Sequence, residues 1–155
     1  YGYQNYEISN WSKPKMESIH NMRYWKKYDY LGFGPGASSF YENKRKTNIK
    51  SLKKYINNLK SSILEFEEDY TLNKKDNLIE GIMLDLRLSS GINHNEFNKK
   101  FDFDFNDKFF HLIKKLRNFK LIKNDNEKTI LTQKGKLVCD SIFVLFQEEI
   151  NTISF

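Results

Sequence analysis

The sequence has 155 residues, of which 39% are hydrophobic and 15% aromatic, and its formal net charge is +6. This composition predicts a soluble, globular chain with one ordinary domain or one and a half small ones. No apolar run approaches the roughly 20 residues that span a bilayer, so we expect no transmembrane segment. No basic-then-apolar leader is visible and the chain does not begin with Met, so we expect a piece cut from a longer protein.

The single cysteine, Cys139, excludes an internal disulfide and any metal site built from several cysteines of this chain. It falls in an apolar helical pattern, so we expect a buried, unreactive thiol and a cytoplasmic location. Residues 1–65 carry 12 Lys/Arg against 5 Asp/Glu, and residues 66–155 carry 14 against 15. The basic excess of the first part fits a solvated helix face, or the attraction of an anionic ligand such as a phosphate or propionate.

The first 41 residues are typical of strands joined by loops. Tyr6–Asn10 alternates apolar and polar side chains, which predicts a strand, and Pro14 ends it. Residues 15–23 read as a polar connection. Tyr28–Phe33 predicts a second short strand, followed by the glycine-rich turn Gly34–Ser39, where glycine permits positive φ.

The remaining residues favour helices. Asn48 is a plausible cap for a helix that ends near Glu65, with one apolar face. Residues 65–73 are acidic and are interpreted as a hinge, so the predicted domains are 1–65 and 66–155. Further helices are predicted over residues 74–88, from a cap at Asn93 or Asn95 through Phe101, and over residues 106–118. The side chains predicted to face inward are Leu78, Ile79, Ile82, Met83, Leu86, Phe109, Phe110, Leu112, Ile113 and Leu116.

A hairpin is predicted near the end of the chain. Two short apolar runs flank Asn124–Asn126, a triplet of turn-forming residues. Thr132 is then expected to cap a last helix with Leu137 and Val138 on its apolar side. Three helices, a β-hairpin and a helix follow one another as in a winged-helix-like module.

Among the histidines, His94 is expected to be solvated and His111 to be a packing or boundary residue. His20 differs, because it begins the pattern His-Asn-x-x-Tyr-Trp with Asn21, Tyr24 and Trp25. An imidazole flanked by flat rings can ligate or stack on a planar cofactor. The alternative is a core histidine that bonds to a backbone carbonyl.

The turn of Gly34, Gly36, Ala37 and Ser38 has its own two interpretations. Its backbone N–H groups could hold an anion or cofactor, or the turn could simply reverse the chain. It matches neither the dinucleotide-binding fingerprint nor the P-loop.

Taken together, these motifs resemble one known family. Tyr6–Asn10, Lys13-Pro14, His20–Trp25, Leu31-Gly32-x-Gly34-Pro35-Gly36-Ala37 and Arg45-x-x-Asn48 follow one another as in the C-terminal part of oxygen-independent coproporphyrinogen III oxidase-like radical-SAM proteins. The His-Asn-x-x-Tyr-Trp element is similar to that of the heme chaperone branch. The resemblance covers the whole chain, and is weaker over residues 74–150.

The resemblance implies a fold and cofactors. Residues 1–65 would be the last strands and helix of a partial (β/α) barrel, and residues 66–155 a mainly helical, winged-helix-like domain. The full-length parent would bind S-adenosylmethionine and a four-iron four-sulfur cluster on a three-cysteine loop. With one cysteine, this chain cannot build that cluster, and we expect it to be catalytically silent by itself.

The resemblance also implies roles for residues. His20 matches the histidine associated with heme, as a possible iron ligand, and Asn21, Tyr24 and Trp25 complete its motif. The turn Gly34–Ser38 matches a loop near the S-adenosylmethionine site. Heme or a porphyrin, and client hemoproteins, are the implied partners. Two positions depart from the pattern, because Ser38 replaces a histidine and Ile19 replaces an arginine that relatives often carry.

Two other functions stay open from the sequence. A nucleic-acid-binding winged helix would fit the helical order, although residues 66–155 carry no positive excess to contact phosphates. Residues 66–155 could also be a lid over the barrel mouth or a docking surface for a client protein.

Overall fold

The computed structural model describes residues 1–153, which form two compact units. Unit 1 contains residues 1–26 and the chain from Lys74 onward, and unit 2 contains residues 27–73. Each unit is described by itself below. The predicted boundary between residues 65 and 66 concerns the domains of a longer protein and stays a prediction.

The described elements follow in chain order. They are β1 (Gln4–Glu7), β2 (Asn10–Ser12), α1 (Ile19–Trp25), β3 (Ser38–Tyr41), β4 (Lys44–Asn48), α2 (Leu52–Lys60), β5 (Phe66–Thr71), α3 (Lys74–Arg87), β6 (Ile92–Asn93), α4 (His94–Phe101), α5 (Phe105–Lys108), α6 (Phe110–Asn118), β7 (Ile122–Asn124), β8 (Lys128–Leu131), α7 (Gln133–Leu137) and α8 (Cys139–Thr152).

Unit 1 begins with a hairpin of β1 and β2, which pair antiparallel. The predicted single strand Tyr6–Asn10 is therefore wrong in extent, because residues 8–9 form the turn between two strands. Residues 15–23, predicted as a polar connection, include the start of α1. Ser18 caps this helix by accepting the N–H of Asn21 at 3.3 Å, a cap that the apolar pattern did not reveal.

The core of unit 1 lies among α3, α4, α5, α6 and α8. Phe97, Phe105, Phe109 and Phe146 are fully buried, and the ring centres of Phe105 and Phe109 lie 5.1 Å apart. Offset and edge-on aromatic pairs at such distances stabilise the folded state by more than the burial of their surface alone. Most predicted inward residues of α3 and α6 are confirmed, so the helical periodicity located this core correctly.

Four inward predictions are wrong. Met83 on α3 is 38% exposed, and the other three share one cause. Phe110 is 58% exposed, Leu137 85% and Val138 41%. Phe109 separates α5 from α6, and Val138 separates α7 from α8. Each break changes which side of the following helix faces the core. Residues that one continuous helix would bury therefore face the solvent.

The predicted hairpin and its caps are confirmed. Strand β8 pairs antiparallel with β7 on one side and with β6 on the other. Thr132 caps α7 by accepting the N–H of Gly135 at 3.0 Å. Asn93 caps α4 through the N–H of Glu96 at 3.0 Å.

Unit 2 is an antiparallel sheet in the order β3-β4-β5 with one helix, α2. The hairpin between β3 and β4 turns at Glu42 and Asn43, both at positive φ, as tight hairpin turns require. Sequence reasoning missed these strands because Lys44–Asn48 is polar throughout. Of the predicted strand Tyr28–Phe33, only a bridge from Tyr30 to Phe40 is present.

Two further predictions in unit 2 are corrected. Ser51, not Asn48, caps α2, and the helix ends at Lys60 rather than near Glu65. Residues 65–73, interpreted as an acidic hinge, contain β5, whose charged side chains are exposed while its backbone pairs with β4. The helix and strand content agrees with the mixed α and β class that was predicted. No helix in residues 1–153 is long and apolar enough to cross a membrane.

Candidate functional site

Helix α1 presents His20 to the solvent. Its ring lies edge-on to that of Tyr24, with centres 4.9 Å apart and planes at 88°. Residues four apart share a helix face, and none of the residues of α1 is buried. The interpretation of His20 as a core histidine is therefore wrong, and its imidazole is accessible to a ligand.

Trp25, the last residue of α1, contacts Arg87, a residue that the sequence analysis did not single out. The guanidinium of Arg87 lies 4.6 Å from the centre of the Trp25 ring. Arg87 Nη2 also lies 3.5 Å from Oε2 of Glu7, a carboxylate with no exposed surface. A buried charge is stable only with partners, so Glu7, Arg87 and Trp25 form one connected group.

The other oxygen of Glu7 is held by its own hairpin. Oε1 accepts the backbone N–H of Ser9 at 2.8 Å and the side-chain N–H of Asn10 at 2.6 Å. The local pattern around Glu7, which lies between Tyr6 and Ile8, does not indicate that its carboxylate is buried. Its partner lies 80 residues away, beyond any local pattern.

A lysine lies beside this group. Lys136 Nζ donates to Asn5 Oδ1 and to Ser89 Oγ, the latter at 3.2 Å. Burial lowers the pKa of Lys136, and the charge of Glu7 opposes that shift. The β1–β2 hairpin is thus joined through polar contacts to the helical part of unit 1.

The glycine-rich turn belongs to unit 2, and its backbone donors bond within that unit. Gly34 N–H donates to the Tyr55 hydroxyl at 3.3 Å, and Gly36 N–H to the Ile49 carbonyl at 3.1 Å. Ala37 N–H donates to the Gly34 carbonyl at 3.3 Å. These three donors therefore already have acceptors, and the assignment of the turn to a cofactor stays a prediction.

Side chains of β3 and β4 form hydrogen bonds at or beside this turn. Asn48 Nδ2 donates to the Gly34 carbonyl at 2.9 Å, which is the role of this residue in place of a helix cap. The hydroxyls of Ser38 and Thr47 lie 3.2 Å apart, and Thr47 donates to Glu68 at 2.8 Å. Ser38 is thus part of a hydroxyl–carboxylate chain.

His94 is buried, with 3% of its surface exposed, so the expectation of a solvated residue is wrong. Its ring stacks on Phe105 with centres 5.6 Å apart, and its two nitrogens contact Thr129 Oγ1 at 2.9 Å and Asn106 Nδ2 at 3.1 Å. His111 is exposed beside the ring of Phe110. His94 is therefore a structural residue, and His20 and His111 are accessible.

The residues present do not fit an iron–sulfur cluster. Within residues 1–153, no group of three or more His, Cys, Asp or Glu side chains could hold a metal ion. Cys139 is half-buried, and burial together with Asp140 raises the pKa of its thiol. A thiol of this kind is a poor nucleophile and a poor metal ligand.

Comparison with known proteins agrees with these observations. Residues 72–138 match the model of the HemN C-terminal domain. The chain is 31% identical over 150 residues to the heme chaperone HemW of Bacillus subtilis, covering 97% of this chain and 40% of that protein. It is 34% identical over 145 residues to the heme chaperone HemW of Lactococcus lactis, covering 94% and 38%.

One solved structure has the same fold. It is coproporphyrinogen III oxidase (HemN) from Escherichia coli, described as a radical SAM enzyme, with a TM-score of 0.73 and 21% identity. The match covers 94% of this chain and 37% of that one. The chain spans about 40% of the length of the curated relatives that it matches over nearly its whole length. The resemblance drawn from the sequence is therefore confirmed: residues 72–138 belong to the HemN C-terminal domain family, and over nearly its whole length the chain is similar to part of the heme chaperones HemW.

Proposed function

We propose that this chain is the C-terminal part of a radical-SAM heme chaperone, and that α1 contacts the heme. The observation that carries the proposal is the accessible imidazole of His20, with Tyr24 set edge-on against it. Imidazole nitrogen is a common axial ligand of heme iron. The names of the relatives support heme as the cargo.

The four residues of the motif have separate roles in this proposal. His20 would supply the iron ligand, and Tyr24 a flat ring beside the macrocycle. Asn21 donates its backbone N–H to Ser18, which secures the first turn of α1. Trp25 secures the last turn against Arg87. The turn Gly34–Ser38 is proposed to belong to the region near S-adenosylmethionine in the parent.

The whole parent is proposed to bind S-adenosylmethionine and a four-iron four-sulfur cluster, with cysteines that this chain does not contain. When bound, these cofactors would supply the radical chemistry of the parent. Client hemoproteins are the proposed recipients of heme, and the cytoplasm is the proposed compartment. We expect no nucleic acid partner, and the comparisons give no support to a nucleic-acid-binding winged helix.

The finer fold assignment is also a proposal. From α3 onward, unit 1 has the order α3, β6, α4, α5, α6, β7, β8, in which the β7–β8 hairpin follows a run of helices. This order supports a winged-helix-like C-terminal domain. The β1–β2 hairpin and the sheet of unit 2 would then be the end of the partial barrel of the parent.

Hemin titration followed by Soret absorbance tests the role of His20. We expect the 155-residue chain to shift the Soret band and His20→Ala to lose the shift. The matched control is His111→Ala, since His111 is also exposed and lies edge-on to an aromatic ring, at 5.4 Å and 79°. A band that is unchanged by His20→Ala, or lost equally in His111→Ala, would remove His20 from the proposal.

A further inference from the structure

Unit 2 contains an open groove of about 720 Å³, and every residue that lines it lies between Leu31 and Phe66. The walls come from all three strands of the sheet, from α2, and from the segments beside them. This volume is within the roughly 300–1,000 Å³ of most small-molecule pockets. The groove is therefore large enough for an organic ligand held by unit 2 alone.

The walls of the groove are mostly apolar. Four aromatic residues line it, namely Phe33, Tyr41, Tyr55 and Phe66, together with the aliphatic residues Leu31, Ile49, Leu59, Ile63 and Leu64. Several of them are open to solvent, with Phe33 85%, Leu64 77% and Leu31 63% exposed. Neighbouring large apolar side chains at this exposure mark an interaction surface.

Unit 2 does not bury this surface in a core of its own. Within residues 27–73, all of which are described, the buried residues are Phe40, Thr47, Ile49 and Leu72. Helix α2 is amphipathic and yet has no buried residue. An apolar helix face is normally covered, so the face of α2 that borders the groove is available to a ligand.

Two lysines give the groove a positive side. Lys44 and Lys46 are two residues apart on β4, so they share one face of the sheet. Lys46 pairs with Asp69 at 3.1 Å and lies 4.5 Å from the centre of the Phe66 ring. Lys44 makes no ion pair with any residue of the described range 1–153. Its ammonium group can therefore pair with a carboxylate of a ligand.

The two carboxylates that line the groove, Glu42 and Glu65, already form hydrogen bonds within unit 2. Glu65 accepts hydrogen bonds from Lys54 at 2.6 Å and from Asn58 at 2.9 Å, and these bonds lower its pKa. Glu42 hydrogen-bonds to Tyr41, which raises the pKa of that phenol. Glu65 is thus paired with Lys54, and among the described residues neither Glu65 nor Glu42 forms an ion pair with Lys44.

We propose that this groove binds a flat, largely apolar carboxylate of porphyrin size, with Lys44 pairing one carboxylate and the aromatic rings covering the macrocycle. The choice of a porphyrin rests on the proposed function. No His, Cys or Met lines the groove, and its two tyrosines are engaged. The Tyr55 hydroxyl already accepts the N–H of Gly34, and Tyr41 hydrogen-bonds to Glu42. Binding in the groove therefore does not depend on iron, unlike binding at His20.

Metal-free protoporphyrin IX, followed by its fluorescence, is the probe that isolates the groove. We expect Leu59→Glu to weaken its binding by about tenfold or more, because a charge would face the apolar ring and repel its carboxylates. The matched control is Leu52→Glu. Both leucines lie exposed on α2, but Leu52 does not line the groove. Equal binding by Leu59→Glu and the unchanged chain, or equal loss in both variants, would overturn the proposal.

A second variant keeps the test independent of the stability of α2. Lys44→Glu changes an exposed residue of β4 and is expected to weaken the same probe, with the circular dichroism spectrum unchanged. His20→Ala should bind metal-free porphyrin as the unchanged chain does. If His20→Ala loses the Soret shift of imidazole-ligated hemin but keeps the porphyrin, both proposals hold. If it keeps both ligands while Leu59→Glu loses the porphyrin, only the proposed role of His20 fails.

Discussion

Arg87 places its guanidinium 4.6 Å from the ring centre of Trp25, so the last residue of α3 covers the last residue of α1. Helix α1 buries none of its seven residues. A helix of this length is not stable by itself in water. The contact with Arg87, together with the Ser18 cap, is therefore what holds the helix that presents His20.

The buried carboxylate behind this contact gives the first prediction. Glu7→Ala removes the partner of Arg87 and both hydrogen bonds at Oε1. We expect it to lower the free energy of unfolding by about 3 kcal/mol or more, since an unpaired buried charge is costly. Glu148→Ala, on the exposed side of α8, should change it by less than about 0.5 kcal/mol. Urea unfolding measures both, and equal values would show that the Glu7 group is not a structural anchor.

His94 gives the second prediction. Replacing His94 by Ala removes a buried ring from Phe105 and leaves the polar atoms of Asn106 and Thr129 without their partner. We expect the free energy of unfolding to fall by about 2–4 kcal/mol, because the substitution leaves a cavity and unpaired polar groups. His111→Ala is the control, and its melting temperature should match that of the unchanged chain. A neutral His94→Ala would contradict the buried network.

Two glycines form a matched pair for the third prediction. Gly91 has φ +71°, and a Cβ there would lie 2.1 Å from the Thr129 carbonyl oxygen. Gly34 has φ +102°, but a Cβ there would meet nothing within 4 Å. We expect Gly91→Ala to lower the free energy of unfolding by more than about 2 kcal/mol. The steric clash would add to the roughly 1–2 kcal/mol that it costs to place a residue with a Cβ in the left-handed conformation. Thermal unfolding should show a smaller decrease in stability for Gly34→Ala than for Gly91→Ala.

The turn at Asp125 gives a prediction for pH. Its carboxylate accepts the backbone N–H groups of Lys128 and Glu127, both at 2.8 Å, and these bonds lower its pKa below the ordinary 3.8. Because the folded-state pKa is lower than the unfolded one, the stabilisation is present above pH 3.8 and is lost as the pH falls through the folded pKa. NMR titration should place the Asp125 midpoint below the ordinary value of 3.8. A midpoint at or above 3.8 would contradict the turn geometry.

The sequence by itself determined where helices and a hairpin lie in residues 74–152, because their apolar side chains recur with the period of the structure they form. It did not determine the helix breaks at Phe109 and Val138. It also determined the family, since His20–Trp25 and the glycine-rich turn are local patterns that can be read without coordinates. Caps at Asn93 and Thr132 were visible for the same reason, as each acts on a backbone group three residues away.

Only the tertiary structure decided which side chains are accessible. His20 and His94 are both polar residues near helix starts, but His94 is enclosed by Phe105 and Thr129 while His20 is exposed. The polar strand Lys44–Asn48 forms because its neighbours pair with its backbone, which no side-chain pattern encodes. The contact of Glu7 with Arg87 joins residues 80 positions apart, and such a contact depends on how the chain packs rather than on any local spacing.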